Sequence, residues 1–369
     1  MPFFSTMTPR HTDLSPELSV WLDLLRILAA LTVVLGHAGS IRFTDGDLYW
    51  VREWTLAPDA VIVFFVVSGL VVGRAAMRDG TWQRYAFNRV TRLLSIVLPA
   101  LLLTLALDAA GRAIDPGAYP SRYYSEPPVA EVLLRGVTFS QEWRGVGPPL
   151  QLGSNAPLWS LSFEAAYYIL LGVALFMPGR GTKAVAFLTL GWLFGLSILV
   201  LLPTWLAGLA VWHLVSTARV PDRRSIAPAL AVVPIILLVV AKLAHVDEAL
   251  LRATPAWLGP VRHQTVFDFG QEVLWNSLIA IGLALHLLGM SRVAPSLSRT
   301  TVRHIRWWAG ASFSIYVTHY PVMHILDAGL PEDVLGKTLL FLAVPLAAGL
   351  LFAQVFERTL PGLRRLARQ

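Results

Sequence analysis

Long apolar stretches recur along the chain and are separated by short segments that hold most of the charged residues. Each stretch has roughly 14–22 residues, near the length that one helix needs to cross a bilayer. Ten such stretches lie at about 24–42, 58–77, 93–111, 157–177, 183–202, 203–217, 226–246, 271–289, 308–326 and 338–356. The pattern predicts an all-α fold, a polytopic transmembrane helix bundle of about ten spans, with Pro203 separating the fifth span from the sixth.

An even number of spans places both termini on one side of the membrane, and the distribution of Lys and Arg indicates which side. With a cytoplasmic N-terminus, 18 of the 30 basic residues fall in cytoplasmic segments and nine fall in outer loops. Cytoplasmic loops of membrane proteins carry such an excess. We therefore expect both termini in the cytoplasm, with an N-terminal segment over 1–23 and a basic tail over 357–369. No charged n-region followed by an apolar h-region opens the chain, so no cleaved signal peptide is expected.

The composition excludes several classes of protein. Of the 369 residues, 55% are hydrophobic and 14% are charged. Soluble domains carry about 25% charged residues, so an ordinary cytosolic enzyme is excluded. The chain has no Cys, which excludes a disulfide framework, a thiolate zinc site and a cysteine nucleophile. The net charge of +7 follows the membrane topology, so we expect membrane lipids as partners and no nucleic acid.

The longest outer loop, over 112–156, is rich in Pro and contains Tyr119, Tyr123, Tyr124 and Trp143. Long loops with aromatic side chains often carry binding surfaces, whereas a Pro-rich connector that caps the bundle is an equally good interpretation. The chain shows no internal repeat and no appended soluble domain. We expect one membrane domain over 1–369.

Ionisable residues at membrane depth cost roughly 2.5–3.5 kcal/mol each on insertion scales, so each one requires a reason. Arg26 and His37 in the first span are eleven residues apart, which places them on one helix face about 16 Å apart along the axis. The alternative is a snorkelling Arg together with a His that bonds a backbone carbonyl. Weaker candidates, each explicable by snorkelling or an interfacial position, are Arg74, Asp108, His213, Lys242 and His286.

Three further spans contain polar residues. Ser68 and the following Gly interrupt the second span, which indicates either a cavity lined by backbone or close packing of another helix. Glu164 lies in the fourth span between Trp159 and Tyr168, and a lone carboxylate there must be paired, protonated or functional. His319 lies among tyrosines in the ninth span. Taken singly, each favours packing or hydrogen bonding over catalysis.

One further pattern is treated as chance. His263 and Asp268 have the His-x-x-x-x-Asp spacing of soluble glycerolipid acyltransferases. The pair lies in an outer loop without a companion motif, and two fixed positions make a weak match.

Six segments, in this order, resemble the bacterial membrane acyltransferase-3 family, whose members are integral membrane O-acyltransferases of polysaccharides and some small molecules. The similarity covers residues 20 to 365. The matching segments are the Arg26–His37 pair, FFVVSG (64–69), NRVTR (88–92), PLWSLSFEAAYY (157–168), SFSIYVTHYP (312–321) and FERTLP (356–361). Each motif alone is degenerate, but six in order are specific.

The resemblance implies transfer of an acyl group, usually acetyl from cytoplasmic acetyl-CoA, to a hydroxyl of a glycan or lipid-linked saccharide at the outer face of the bacterial inner membrane. In this reading Arg26, Arg89 and Arg92 hold the phosphates of the donor through charge-assisted hydrogen bonds. His37 is the general base on the acceptor hydroxyl. Glu164 either orients His37 or holds the sugar.

Four further candidates complete this predicted site. Ser68, Trp159, Tyr168 and His319 are expected to bind substrate, and no metal ion is expected. The rival class is a transporter or flippase whose intramembrane charges line a translocation path. Such proteins often show inverted repeats and broken helices in both halves, and no matching halves are present here. A non-catalytic membrane partner with a decayed site is a third possibility, but the motif residues are intact.

Overall fold

The computed structural model describes residues 13–120, 124, 126–220, 226–254, 271–331 and 334–359. These residues form helices joined by turns and loops, and no β-strand occurs among them. In chain order the helices are α1 (Pro16–Ala38), α2 (Ile41–Thr44), α3 (Tyr49–Glu53), α4 (Leu56–Asp79), α5 (Trp82–Ile114), α6 (Val129–Val137), α7 (Trp159–Phe176), α8 (Arg180–Phe194), α9 (Leu196–Ser216), α10 (Ala227–Leu243), α11 (Val246–Ala253), α12 (Val273–Val293), α13 (Arg299–Ala309), α14 (Ser312–Gly329) and α15 (Lys337–Phe356). Two short 3-10 turns, Pro116–Ala118 and Ala156–Leu158, lie between α5 and α7.

Seven of the described helices are long and apolar enough to cross a membrane by length and composition: α1, α4, α5, α7, α9, α12 and α15. Helices α10 and α11 are bent by 71° at a short break and pass the same test as a pair, which brings the number to eight if they form one span. The predicted all-helical fold with several apolar spans is thus confirmed. The count of ten and the cytoplasmic placement of the termini stay predictions.

The start of the first helix lies before the predicted span. Helix α1 begins at Pro16, and the Ser15 Oγ accepts a hydrogen bond from the Leu18 N–H at 3.1 Å. Serine is a favoured N-cap, and proline suits the first helical position because its missing N–H has no partner there in any case. Arg26 therefore lies in the interior of α1, well away from its beginning.

The helices that correspond to the predicted fifth and sixth spans are separated at Gly195. The prediction that Pro203 separates these two spans is therefore wrong. Gly195 has φ 85° and ψ 169°, a conformation that glycine adopts without steric cost. Pro203 lies inside α9, which continues from Leu196 to Ser216. A single missing N–H removes one helical hydrogen bond, and helices in membranes tolerate such a proline.

The chain divides into two compact units. The first unit consists of Met1–Leu25, Ile62–Ala86 and Ala166–Val302, and the second consists of Arg26–Val61, Phe87–Ala165 and Arg303–Gln369. The expectation of one family domain over the whole chain stays a prediction.

In the first unit, α4 and α9 meet backbone to backbone. A Cβ on Gly69 would lie 2.0 Å from the Trp205 carbonyl oxygen, and a Cβ on Gly208 would lie 1.8 Å from the Val66 carbonyl oxygen. Both glycines are therefore required by the close approach of the helices. Of the two readings of the interruption after Ser68, close packing of another helix is the one that the structure supports.

In the second unit, α14 packs against α15, and apolar side chains from α1, α2, α14 and α15 share one core. The buried members of this core are Val34, Ala38, Phe43, Ala311, Ile315, Tyr320, Met323, Phe341 and Ala353. The core surrounds the end of α1 that carries His37.

The connection between α5 and α7 is anchored at several points. The Asp108 carboxylate accepts hydrogen bonds from the Ser154 N–H at 2.9 Å and from its hydroxyl at 2.5 Å. The buried Arg135 guanidinium donates to the carbonyl oxygens of Pro148, Ser140 and Gln141 at 2.9–3.2 Å. These bonds satisfy backbone groups that would otherwise be buried without partners. They favour the interpretation of this segment as a packed cap.

Candidate functional site

His37 lies near the end of α1 with its imidazole against α14. The ring centroids of His37 and His319 are 5.2 Å apart, and those of His37 and Tyr320 are 4.5 Å apart. His319 is fully buried, whereas His37 is half-buried. An imidazole that keeps part of its surface open meets the first requirement for proton transfer with a bound substrate, which is access.

The hydrogen bonds of His319 determine which of its nitrogens carries the proton. Its Nδ1 lies 2.7 Å from the Tyr316 carbonyl oxygen and 3.1 Å from that of Ile315. Carbonyl oxygens only accept, so Nδ1 is the donor and Nε2 of the neutral ring carries a lone pair. Among the described residues, the buried Nε2 has no hydrogen-bond partner. His319 thus places a fixed acceptor beside His37.

A proline in α14 explains how the segment before α7 is held beside this site. Pro321 has no N–H, so the carbonyl oxygen of Val317, four residues earlier, has no helical donor. The Asn155 side-chain amide donates to that oxygen at 2.8 Å and to the Thr104 hydroxyl oxygen at 2.9 Å. Asn155 thereby links α5 to α14 next to the turn that carries His319.

Tyr316 joins the same side of α14 to the start of α7. Its hydroxyl donates to the Pro157 carbonyl oxygen at 2.7 Å and pairs with the Ser160 hydroxyl at 2.7 Å. Glu164, one turn further along α7, is half-buried and interacts electrostatically with Tyr316. The predicted candidates Glu164 and His319 thus both lie near Tyr316.

Arg26 belongs to a second group of polar residues, which we call the Arg26 cluster: Arg26, Arg92, Ser312, Ser314 and Glu357. The Arg26 guanidinium donates to the Ser312 hydroxyl oxygen at 3.2 Å. The Glu357 carboxylate accepts from the Ser314 N–H at 2.9 Å and from the Ser314 hydroxyl at 2.7 Å. It also interacts electrostatically with Arg26 and Arg92. The Arg26 cluster therefore contains two permanent cations, Arg26 and Arg92, and the carboxylate of Glu357, which its hydrogen bonds to Ser314 hold in position.

Sequence reasoning did not assign a role to Glu357. Burial raises the pKa of its carboxyl above the ordinary value, while the Ser314 hydrogen bonds and the charges of Arg26 and Arg92 act in the opposite direction. The signal in the sequence was a carboxylate directly after the last apolar span, within the FERTLP segment. Its partners are more than 40 residues away in the chain.

Sequence reasoning also did not identify Arg52 as a candidate site residue. It lies on the short helix α3, is exposed, and donates to the Gly36 carbonyl oxygen at 3.5 Å. Its charge acts on the neighbouring His37. Nothing in its sequence context, an ordinary loop between two apolar spans, distinguishes it from the other outer arginines.

The other predicted site residues are placed separately. Arg89 is half-buried on α5, three residues before Arg92 and hence on a similar face. The Trp159 ring packs edge-on against Phe163 with centroids 5.1 Å apart. Ser68 and Tyr168 belong to the first unit, where the Trp205 indole donates to the Ser68 hydroxyl oxygen at 3.3 Å and Tyr168 is buried.

Four of the weaker intramembrane candidates, Arg74, Asp108, Lys242 and His286, have partners that the structure defines. Arg74 forms an ion pair with Asp13, and the hydrogen bond from Arg74 lowers the Asp13 pKa to about 2. His286 accepts from the Trp21 indole at 2.8 Å on one nitrogen and donates to the Ala231 carbonyl oxygen at 2.6 Å with the other.

Two more of these candidates are also paired. Lys242 forms an ion pair with Asp247 at 2.7 Å. Asp108 anchors Ser154, as described above. The pair His263 and Asp268 lies outside the described residues.

Comparison with known proteins gives one family and two curated relatives. The profile of a family described as "Acyltransferase domain" matches residues 19–358. A protein of Shigella phage Sf6 named "O-acetyl transferase" is 25% identical over 160 residues, which cover 42% of this chain and 45% of that protein. "Nodulation protein 10" of Rhizobium leguminosarum bv. viciae is 24% identical over 178 residues, which cover 44% of this chain and 46% of that protein.

The matched stretches thus span less than half the length of either curated relative. The comparison with solved structures gives no significant match. Within the part of the chain that the structure describes, no three His, Asp or Glu side chains are grouped so as to hold a metal ion.

Proposed function

The chain belongs to the acyltransferase family whose profile it matches from residue 19 to residue 358, and on that premise we propose that it is a membrane O-acyltransferase that moves an acetyl group from acetyl-CoA to a hydroxyl of a saccharide. The proposal rests mainly on the half-buried His37 imidazole, which packs against the fully buried His319. His37 lies on α1, the helix that also contains Arg26. A relative named as an O-acetyl transferase supports the choice of acetyl and of an oxygen acceptor.

In the proposed reaction His37 takes the proton of the acceptor hydroxyl. The oxygen then attacks the thioester carbonyl carbon, the carbon–sulfur bond breaks, and the leaving thiolate receives the proton that His37 took, which gives the free thiol and returns His37 to its neutral form. A hydroxyl is too weak an acid to react at neutral pH without a base, and His is the side chain best matched to that task. His319, whose ring centroid lies 5.2 Å from that of His37, packs against this imidazole and limits the orientations open to it.

The acceptor contacts are proposed from the residues around this pair. Glu164, which is half-buried and interacts with Tyr316 beside His319, offers a carboxylate that can hold a sugar hydroxyl. Arg52 lies on the α3 side, where a guanidinium stabilises the oxyanion that develops on the thioester carbonyl. Trp159 completes the list of proposed sugar contacts. Ser68 and Tyr168 are retained only as predictions.

We assign the donor to the Arg26 cluster. Arg26 and Arg92 bring two guanidinium groups to one place, and Arg89 follows on the same helix as Arg92. Guanidinium groups bind phosphate through pairs of parallel hydrogen bonds. Glu357, held by Ser314, offsets the repulsion between the two cations when no phosphate is bound. In a helix, Arg26 and His37 are about 16 Å apart along the axis, a distance that the extended pantetheine arm of the donor spans.

The function is tested by mass spectrometry of cell-surface glycans from cells with the protein, cells without it, and cells that carry the His37→Ala variant. We expect one saccharide to show a gain of a single acetyl mass in the first sample only. If the glycans of all three are identical while the protein is abundant in the membrane, the proposal of glycan acetylation is wrong.

The same proposal places the donor on the cytoplasmic side, which requires the Arg26 cluster to face the cytoplasm and the His37 end of α1 to face outward. We expect a reporter fused after Gln369 to give a cytoplasmic signal, because Lys and Arg concentrate in the segments assigned to that side. An external signal from the same fusion would reverse the orientation and exclude a cytoplasmic donor at Arg26.

The Arg26→Lys variant tests the donor site. Lysine keeps the charge but loses the planar pair of donors, so we expect the KM for the acyl donor to rise about tenfold with a smaller change in kcat. Substitutions of Arg89 and Arg92 are expected to raise the donor KM as well. The measurement is thiol release from acetyl-CoA by the purified protein as a function of donor concentration.

The matched control is Arg74→Lys. Arg74 is also an arginine of an apolar helix, and its partner is the Asp13 carboxylate. This control should lower stability slightly and leave the donor KM unchanged. Unaltered donor kinetics in the Arg26, Arg89 and Arg92 variants would move the donor site elsewhere.

A further inference from the structure

Helix α13 differs from every neighbouring helix in its composition. Its sequence, RTTVRHIRWWA, has three arginines and no acidic residue. At about 100° per residue, Arg299, Arg303 and Arg306 fall within about 60° of one another on one face. These three side chains are exposed. The helix therefore presents a row of cations to its surroundings.

The opposite face of α13 is already occupied by protein. Val302, Ile305 and Trp308 are half-buried, and Trp308 packs against the core of the second unit. The helix is thus held in place by its apolar side chains, and the cationic face stays outward. No apolar stripe is left over that would call for another helix or a second copy of the chain.

The arginines of this face have no acidic partner. Among the described residues, none of Arg299, Arg303 and Arg306 forms an ion pair. A fourth guanidinium, that of Arg358, lies 4.4 Å over the Trp307 ring and donates to the Trp307 carbonyl oxygen at 2.9 Å. Arg299, Arg303 and Arg306 therefore form a row of neighbouring cations that repel one another, so an anionic partner would lower their energy.

The position of α13 in the chain indicates which anions it meets. Five residues separate its start from the end of α12, a helix long and apolar enough to span the membrane. A segment so close to the end of a span lies near the head groups. Trp307, which is 44% exposed beside the arginines, is the residue type enriched at that depth.

We infer that the exposed face of α13, formed by Arg299, Arg303, Arg306 and Trp307, binds the head groups of anionic phospholipids. Basic segments next to a transmembrane helix bind such lipids through their charge, and the guanidinium groups can pair with head-group phosphates. The inference does not depend on the proposed reaction, since it rests on α13 and Arg358 alone.

The test is a lipid titration of the full-length protein in detergent, read by native mass spectrometry. Phosphatidylglycerol is compared with phosphatidylcholine, which has a phosphate but no net charge. Each arginine near an anionic surface contributes about fivefold to binding. We therefore expect wild type to prefer phosphatidylglycerol, and Arg303→Gln together with Arg306→Gln to bind it about 25-fold more weakly. The single Arg303→Gln variant should bind phosphatidylglycerol about fivefold more weakly than wild type.

Two further variants make the result specific. Arg303→Lys with Arg306→Lys keeps the charge and should retain most of the binding. Arg180→Gln with Arg252→Gln removes two exposed arginines from other helices and should change the affinity less than about twofold.

Equal binding of the two lipids by wild type would overturn the inference, as would equal phosphatidylglycerol binding by wild type and the α13 double variant. A third arm adds adenosine 3′,5′-bisphosphate, the nucleotide portion of the donor. Displacement of phosphatidylglycerol by this nucleotide would assign the face to donor binding and would overturn the lipid assignment.

Discussion

We expect the His37→Ala protein to insert into the membrane at wild-type levels and to give no detectable acyl transfer. A general base contributes about 10²–10⁴-fold to a rate, and the described imidazoles of α14, those of His319 and His324, are both fully buried. Insertion should survive, because replacing a polar residue of α1 with alanine does not raise the cost of inserting the helix. The measurement is acetyl transfer to the saccharide per amount of inserted protein.

His37→Gln separates the two roles of the ring. Glutamine keeps a hydrogen-bonding group but cannot take a proton at neutral pH, so we expect this variant to be as inactive as alanine. Near-normal transfer by a well-inserted Gln variant would show that His37 only positions the acceptor. The base would then have to be sought at Glu164 or His319.

His286→Ala is the matched control for these variants. His286 is also a histidine in an apolar helix, and both its nitrogens are bonded, to Trp21 and to Ala231. Its loss removes two hydrogen bonds and leaves a buried donor and acceptor, which costs about 1–3 kcal/mol. The control should therefore melt at lower temperature and still transfer acetyl.

The second large effect is expected at His319, which we treat as a positioning residue. In Ser-His-Asp enzymes, loss of the group that orients the catalytic histidine lowers kcat by up to about 10⁴-fold. Because His319 is neutral and offers only the Nε2 lone pair, we expect His319→Phe to lower kcat about 10²-fold and to leave the donor KM unchanged. A purely structural role would instead lower the amount of folded protein.

Two amide variants resolve what His319 supplies. In His319→Gln the side-chain amide oxygen can occupy the position of the imidazole Nε2. In His319→Asn the shorter side-chain amide reaches only the position of Nδ1. We expect Gln to restore much of kcat and Asn to restore little. If Gln fails as completely as Phe, His319 accepts a proton and is not merely an orienting group. His324→Phe, a buried histidine of the same helix, is the control and should retain kcat.

Local pattern was enough to predict the helices and the placement of Arg26 and His37 on one of them. Apolar runs of span length specify a helix without reference to the rest of the chain, and eleven residues on a helix always return to nearly the same face. The same reasoning identified Glu164 and His319 as unusual, since a polar group in an apolar helix is visible in the sequence alone.

Pairings between distant segments could not be read in this way. Arg26 and its partner Ser312 are 286 residues apart, and Glu357 meets Ser314 across 43 residues. Which side chains face each other depends on how the helices pack, and no single segment contains that information. The error at Pro203 has a local cause. A proline within an apolar stretch predicts the end of a helix, whereas Gly195, eight residues earlier, has the backbone freedom that a break requires.

The close approach of α4 and α9 at Gly69 and Gly208 restricts how these two helices can move. With no side chains between them, α4 and α9 each press a backbone carbonyl into the space that a methyl group would need on the other. A slide of one helix by a single residue would bring a larger side chain against a carbonyl oxygen. The register of this pair is therefore fixed by the close approach, and any sliding of helices past one another takes place at contacts other than this one.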